Sequence, residues 1–289
     1  MNTVLSLPDQ IRAQMLAAQV DAVIIPMNDP HQSEYVADHW KAIAWLSGFT
    51  GSAGTLVLTQ GFAGLWTDSR YFIQAEQEIV GSGFVLMKLE VPHTPEYLNW
   101  LVDHLPAGST VGLDGKLVSL SSLERLRDFV QEGGIVVRTD FDPIGTVWEN
   151  RPALPVAPVF IHAPAYAGKS VGEKLSLIRA GMTAKGVDFH LLTALDDIAW
   201  TFNLRGNDVD FNPVFYAWAL IGKEVVDLFI VPEKVPTAVQ KALEAENVGI
   251  EAYDDISLAL LGLPDGAKLL LDTQKTSAFL LDSIPDGCI

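Results

Sequence analysis

Residues 28–35, Asn-Asp-Pro-His-Gln-Ser-Glu-Tyr, gather side chains that bind ligands: an imidazole, carboxylates, amides and hydroxyls. They follow the short apolar run Ala22-Val23-Ile24-Ile25, closed by Pro26, and so stand just past the carboxyl end of a strand, where α/β sheets place their sites. Position alone favours a plainer reading: Asp29 before Pro30 is ordinary turn chemistry, and Glu34 an ordinary acid in the first turn of a helix. A second polar centre lies in Trp66-Thr67-Asp68-Ser69-Arg70-Tyr71-Phe72. An arginine among aromatics is commonly stacked or paired, yet the rigid five-donor fork of Arg70 is also what grips carbonyl or carboxylate oxygens.

Other chemistries lack their patterns. Gly48–Gly54, GFTGSAG, looks like a phosphate cradle, but such a loop needs a helix N-terminus after it, and Thr55-Leu56-Val57-Leu58 reads as a strand. A turn needing positive φ accounts for these glycines instead. Ser52 has no Gly-x-Ser-x-Gly elbow around it. Six scattered histidines and the single Cys288 give neither zinc-type spacing nor an internal disulfide.

The elements that must position these residues come in two copies. Ile11–Asp21 and Ile178–Asp188 agree at seven of eleven positions at an offset of 167, including Arg12/Arg179, Met15/Met182 and Asp21/Asp188. Ile43-Ala44-Trp45 recurs as Ile198-Ala199-Trp200 at offset 155, and Gly108–Asp114 aligns with Gly266–Asp272 at offset 158. Three blocks in one order, at a spacing far beyond the ~20–50 residues of a solenoid unit, predict a duplicated domain. With 289 residues and 49% hydrophobic content, each half can own a core.

The first domain, residues 1–141, reads as a helix after Ser6-Leu7-Pro8, the strand 22–25, a hairpin of strands 55–58 and 63–68, and a helix 71–79 capped by Asp68 or Ser69. Strand 84–89, helix 95–105, strand 110–113, helix 120–131 and strand 135–138 complete it. Residues 142–164, with prolines at 143, 152, 155, 158 and 164, read as a linker. The second domain, 165–289, reads as helix 172–185, strand 189–193, a helix to Trp200 capped by Asp196 and Asp197, strands 214–221 and 225–231, helices 237–247 and 256–261, and strand 268–272. At offset 158 Ile289 corresponds to Gln131, so the second copy is expected to end before its last strand.

The chain carries 36 acidic against 19 basic residues, a net charge of −17, which disfavours nucleic acid and anionic membranes as partners. The N-terminus lacks a basic segment followed by an apolar run, and no apolar run reaches the ~18 residues of a span, so neither a secretory signal nor a membrane segment is expected. Cytoplasmic location fits the cysteine usage.

The motifs His31-Gln32-Ser33-Glu34-Tyr35, Ser47–Thr55, Trp66–Phe72 and Thr193–Phe215 together resemble the N-terminal two-thirds of cytosolic, three-domain aminopeptidase P, the Xaa-Pro aminopeptidases of the creatinase/prolidase superfamily. The resemblance implies an α/β fold: two tandem creatinase-type domains, each a mixed sheet flanked by helices. It implies a third domain, outside this chain, that binds two divalent metal ions, commonly manganese, and hydrolyses the bond before a proline in second position. On that basis the chain holds no catalytic residue and no metal ligand, and Glu34, Arg70 and His31 look toward the peptide substrate. For the full-length protein the resemblance implies a homodimer. A catalytically inert binding module of the same fold is the alternative, and an enzyme of the superfamily with other chemistry a third reading.

Overall fold

The computed structural model describes residues 5–92 and 94–289. It divides into two compact units, Met1–Asp29 with Asp38–Ala153, and Pro30–Ala37 with Leu154–Ile289.

The first unit runs α1 (Leu7–Ala18), β1 (Ala22–Pro26), α2 (Ala42–Ser47), β2 (Thr55–Thr59), β3 (Ala63–Thr67), α3 (Phe72–Glu78), β4 (Val85–Lys88), α4 (Tyr97–His104), β5 (Thr110–Gly112), α5 (Leu120–Gln131), β6 (Val136–Arg138) and α6 (Pro143–Val147). As anticipated, the Ser6 side chain accepts from the Asp9 N–H at the start of α1. The sheet order is β4-β3-β2-β1-β5-β6, antiparallel among β1, β2 and β3 and parallel elsewhere. Val23, Ile25, Leu56, Leu58 and Leu65 of the central strands pack with Ile11 and Met15 of α1 and with Ile43, Leu46 and Phe49.

The second unit runs β7 (Phe160–Ile161), α7 (Pro164–Ala167), α8 (Val171–Lys185), β8 (Phe189–Leu192), α9 (Leu195–Thr201), β9 (Leu204–Arg205), β10 (Ala217–Gly222), β11 (Val226–Ile230), α10 (Thr237–Ala245), β12 (Gly249–Glu251), α11 (Ile256–Leu261) and β13 (Leu269–Leu270). Its main sheet, β12-β11-β10-β8-β13, repeats the first order and every strand direction, with β8 in the place of β1 and β13 in that of β5.

The residues that match in sequence make the same bonds in both units. Arg12 Nε donates to the Thr59 carbonyl at 3.0 Å, and Arg179 Nε to the Gly222 carbonyl at 3.0 Å, each tying the first helix to the hairpin. Asp21 accepts the Thr110 N–H at 2.7 Å, and Asp188 the Lys268 N–H at 3.0 Å. Val20 N–H reaches Met15 O, and Val187 N–H reaches Met182 O, closing the same helix-to-strand turn. At the sheet edge the Val136 N–H donates to Ser109 O, and Ile289 N–H donates to Ala267 O, so Ile289 stands where β6 begins in the first unit.

Four local expectations are corrected. Residues 142–164 are not a featureless linker: Asp142 caps α6 through the Gly145 N–H, and Ile144 is buried in the first core. Asp196 and Asp197 lie in the first turn of α9 behind an Ala194 N-cap, where they favour the helix dipole without capping it. The strand expected from Val214 starts only at Ala217. Residues 213–216 bond instead to the preceding loop, through Gly206 N–H to Pro213 O, Asp208 N–H to Val214 O and Tyr216 N–H to the Asp208 carboxylate. Neither Asp68 nor Ser69 caps α3, whose N-cap is Tyr71.

Candidate functional site

In the first unit the turn from α2 to β2 is held by side chains. Thr50 donates its N–H and its hydroxyl to Glu78 at 2.8 and 2.7 Å, and Gln74 adds an amide bond at 3.0 Å. Burial pushes the Glu78 carboxyl up, but these donors outweigh it and hold it below the ordinary carboxylate range. Ser52 and Tyr71 hydroxyls meet at 2.6 Å.

Only Gly48 of this turn has positive φ, +82°; the need for the other glycines is steric. A Cβ on Gly51 would stand 2.3 Å from Phe49 Cζ and 2.7 Å from Tyr71 Cδ1, so the glycine lets these two rings close edge to face beneath the loop.

Arg70 leaves the end of β3 beside this turn. Its Nε and Nη2 form a fork on the two carboxylate oxygens of Asp68 at 2.9 and 2.7 Å, and Asp68 also accepts the Arg70 N–H at 3.0 Å. Asp68 is buried at 2% exposure while the Arg70 side chain is 56% exposed, so a buried carboxylate presents a guanidinium at the surface, over the ring of Tyr71. Asp68 lines a cavity of about 240 Å³ with Gly54, Thr55, Thr67, Thr94 and Tyr97. The sequence offered Asp68 only as a cap; its i, i+2 spacing to an arginine was the available signal.

His31 and Glu34 sit in the second unit. His31 is 1% exposed, with Nδ1 2.7 Å from the Thr193 carbonyl and Nε2 2.8 Å from the Tyr253 hydroxyl. Because a carbonyl only accepts, Nδ1 carries a proton. The imidazole lies on Trp218 with ring centroids 3.8 Å apart. The Tyr216 hydroxyl accepts the Ala37 N–H at 3.1 Å, six residues beyond His31. Glu34, between these anchors, is exposed. Tyr216 and Trp218 were read only as part of a strand, although their alternate spacing places both on one face. Among the described residues no group of three or more His, Cys, Asp or Glu is gathered to hold a metal ion. No helix among them is long and apolar enough to cross a membrane.

Residues 9–140 and 150–288 each match a family described as the creatinase/prolidase N-terminal domain. The chain is 35% identical over 93% of its length to "Aminopeptidase P2" of Arabidopsis thaliana, and spans 38% of that protein. It is 37% identical over 95% of its length to a "Probable Xaa-Pro aminopeptidase P" of Ajellomyces dermatitidis, spanning 45% of it. The crystal structure of X-prolyl aminopeptidase from Caenorhabditis elegans, a cytosolic enzyme with a di-nuclear active site, superposes with a TM-score of 0.91 at 26% identity, covering 98% of this chain and 49% of that one. The chain thus spans less than half the length of these relatives. With two tandem copies of the domain, it belongs to the creatinase/prolidase N-terminal-domain family.

Proposed function

We propose that this chain is the non-catalytic N-terminal portion of a metal-dependent, cytoplasmic Xaa-Pro aminopeptidase, which removes the N-terminal residue from peptides with proline second. The observation that supports this reading most directly is the likeness of both units together to the Caenorhabditis elegans X-prolyl aminopeptidase. The hydrolytic chemistry, with two divalent metal ions of which manganese is the expected identity, then belongs to a domain outside these residues, as does the homodimer contact.

The share of the work left to the present residues is recognition. Glu34 suits the free ammonium of a peptide, and Arg70 a carbonyl or carboxylate oxygen, each by a charge-assisted bond worth about 1.5–3 kcal/mol. Asp68 keeps Arg70 oriented, since its fork fixes the plane of the guanidinium.

Two measurements test this. The purified 289-residue chain is expected to show no turnover of an Xaa-Pro peptide with added manganese, whereas the protein extended by its catalytic domain turns it over. In that enzyme Glu34→Ala or Arg70→Ala is expected to lower kcat/KM by roughly ten- to a hundred-fold while metal content stays normal. Turnover by the chain alone, or a gene ending at Ile289, sinks the reading in favour of another function.

A further inference from the structure

The segment 30–37 has no helix or strand of its own, yet it belongs to the second unit although the first sequence copy encodes it. At one end His31 is fixed from three directions: the Thr193 carbonyl at Nδ1, the Tyr253 hydroxyl at Nε2 and the Trp218 ring on its face. Tyr253 closes the arrangement by tilting onto both His31 and Trp218. At the other end the buried Ala37 gives its N–H to the Tyr216 hydroxyl. Between the two anchors Glu34 and Tyr35 are exposed. Directly after His31, Gln32 takes a φ of +53°, a left-handed conformation that a side chain other than glycine keeps only where its surroundings impose it. Lys275 Nζ reaches the Gln32 carbonyl at 3.3 Å.

A carboxylate on a short arm pinned at both ends has few conformations to lose when a ligand takes hold of it. We propose that His31 is a positioning residue for Glu34: it touches no substrate itself, and by locking the arm into the pocket of Thr193, Trp218 and Tyr253 it sets where the Glu34 carboxylate stands. This rests on Glu34 meeting the peptide, as proposed above. It makes the second unit, whose own surface supplies no assigned substrate contact, the holder of a recognition residue encoded with the first.

The test combines kinetics with a readout that does not need turnover. In the extended enzyme His31→Ala is expected to raise KM more than it lowers kcat, reducing kcat/KM about ten-fold, and to add less than about two-fold once Glu34→Gln is present. His31→Asn, whose amide can still donate to the Thr193 carbonyl, is expected to recover most of the loss. Equal losses from His31→Ala with and without Glu34→Gln would mean a merely structural histidine. In the 289-residue chain, a nitroxide on Glu34→Cys in a Cys288→Ser background is expected to be immobilised, and to become mobile with His31→Ala or Tyr253→Phe. An unchanged spectrum in both variants overturns the proposal. If the unsubstituted enzyme fails to cleave Xaa-Pro peptides, the peptidase reading alone falls, and the label decides on the arm. Should His31→Ala not fold, His31→Asn and Tyr253→Phe carry both measurements.

Discussion

The two units share strand order, strand direction and the bonds of Arg12/Arg179 and Asp21/Asp188, but they secure the segments around α2 and beyond α9 by different forces. In the first, the turn after Trp45 is held near the surface by Thr50 and Gln74 on the Glu78 carboxylate, and the residues of and before α2 pack by aromatic fit: Trp45 stacks on Trp148 at 4.8 Å, and Arg151 lies over Trp40 at 4.8 Å. In the second, after Trp200, the loop is organised by buried charge. Asp208 pairs with Lys234, both side chains fully buried, and accepts the Tyr216 N–H at 2.7 Å. Lys174, also buried, donates to the Trp200 carbonyl at 2.7 Å and to Asn203 at 2.5 Å, with its ammonium 4.2 Å from the Trp200 ring. Burial pushes the Asp208 carboxyl up and the Lys234 ammonium down, each partly opposed by the other. Duplication has thus kept the joints that define the sheet and left the loops at its carboxyl end free to diverge. That end is where α/β folds carry function.

The buried pair offers the strongest way to break this symmetry. Asp208→Asn or Lys234→Ala is expected to cost about 3–5 kcal/mol, because each leaves the other group buried without its counter-charge. Hydrogen exchange should then show lost protection at β10 and unchanged protection at β2. Arg151→Ala, its opposite number in the first unit, gives up contacts with the Trp40 and Trp148 rings and a hydrogen bond to the His39 carbonyl at 2.8 Å, together worth only about 1–2.5 kcal/mol. If the two variants cost the same in urea unfolding, the contrast between the loops is wrong.

A second, smaller effect separates Asp114 from Asp272, which align in the repeat and make the same turn bond, to Lys116 N–H at 2.9 Å and Gln274 N–H at 2.8 Å. Burial pushes the Asp114 carboxyl from its ordinary 3.8 up to about 6, with nearby Asp142 adding to it and the Lys116 N–H opposing. The native state therefore holds this proton more tightly than the unfolded chain. Its contribution to stability is present below pH 3.8 and lost as pH rises through about 6. Asp114→Asn keeps the accepting oxygen and removes the charge, so it should raise stability at pH 8 by about 1–3 kcal/mol and flatten the pH dependence between those values. Asp272→Asn, on an exposed side chain, should change stability by less than about 0.5 kcal/mol. Denaturation midpoints across pH 4 to 8 compare the two.

The smallest effect sharpens what the copies share. Arg12→Ala and Arg179→Ala should each cost roughly 0.5–1.5 kcal/mol, each confined to its own unit. The two losses should be alike, since each arginine makes a second bond, Arg12 to the Asp9 carboxylate at 2.9 Å and Arg179 to the Val225 carbonyl at 3.1 Å. Unequal units responding to one substitution would show that the matched arginines do different work.

Read alone, the sequence determined the duplication, and with it the order of helices and strands. Periodicity, caps and turn residues act over a few neighbours, and the three matched blocks carry the residues that close each helix-to-strand joint. It missed β12, a strand of three residues with little apolar pattern, and it extended β10 into residues that Asp208 draws into a loop. Arg70 was legible as a polar centre, but its buried partner Asp68 was not, because burial depends on what the rest of the sheet covers. Only the tertiary structure decided that residues 30–37 join the second unit. His31 meets partners 162 and 222 residues away, and contacts at such separation are set by how the sheet orders its strands rather than by any local preference of the chain.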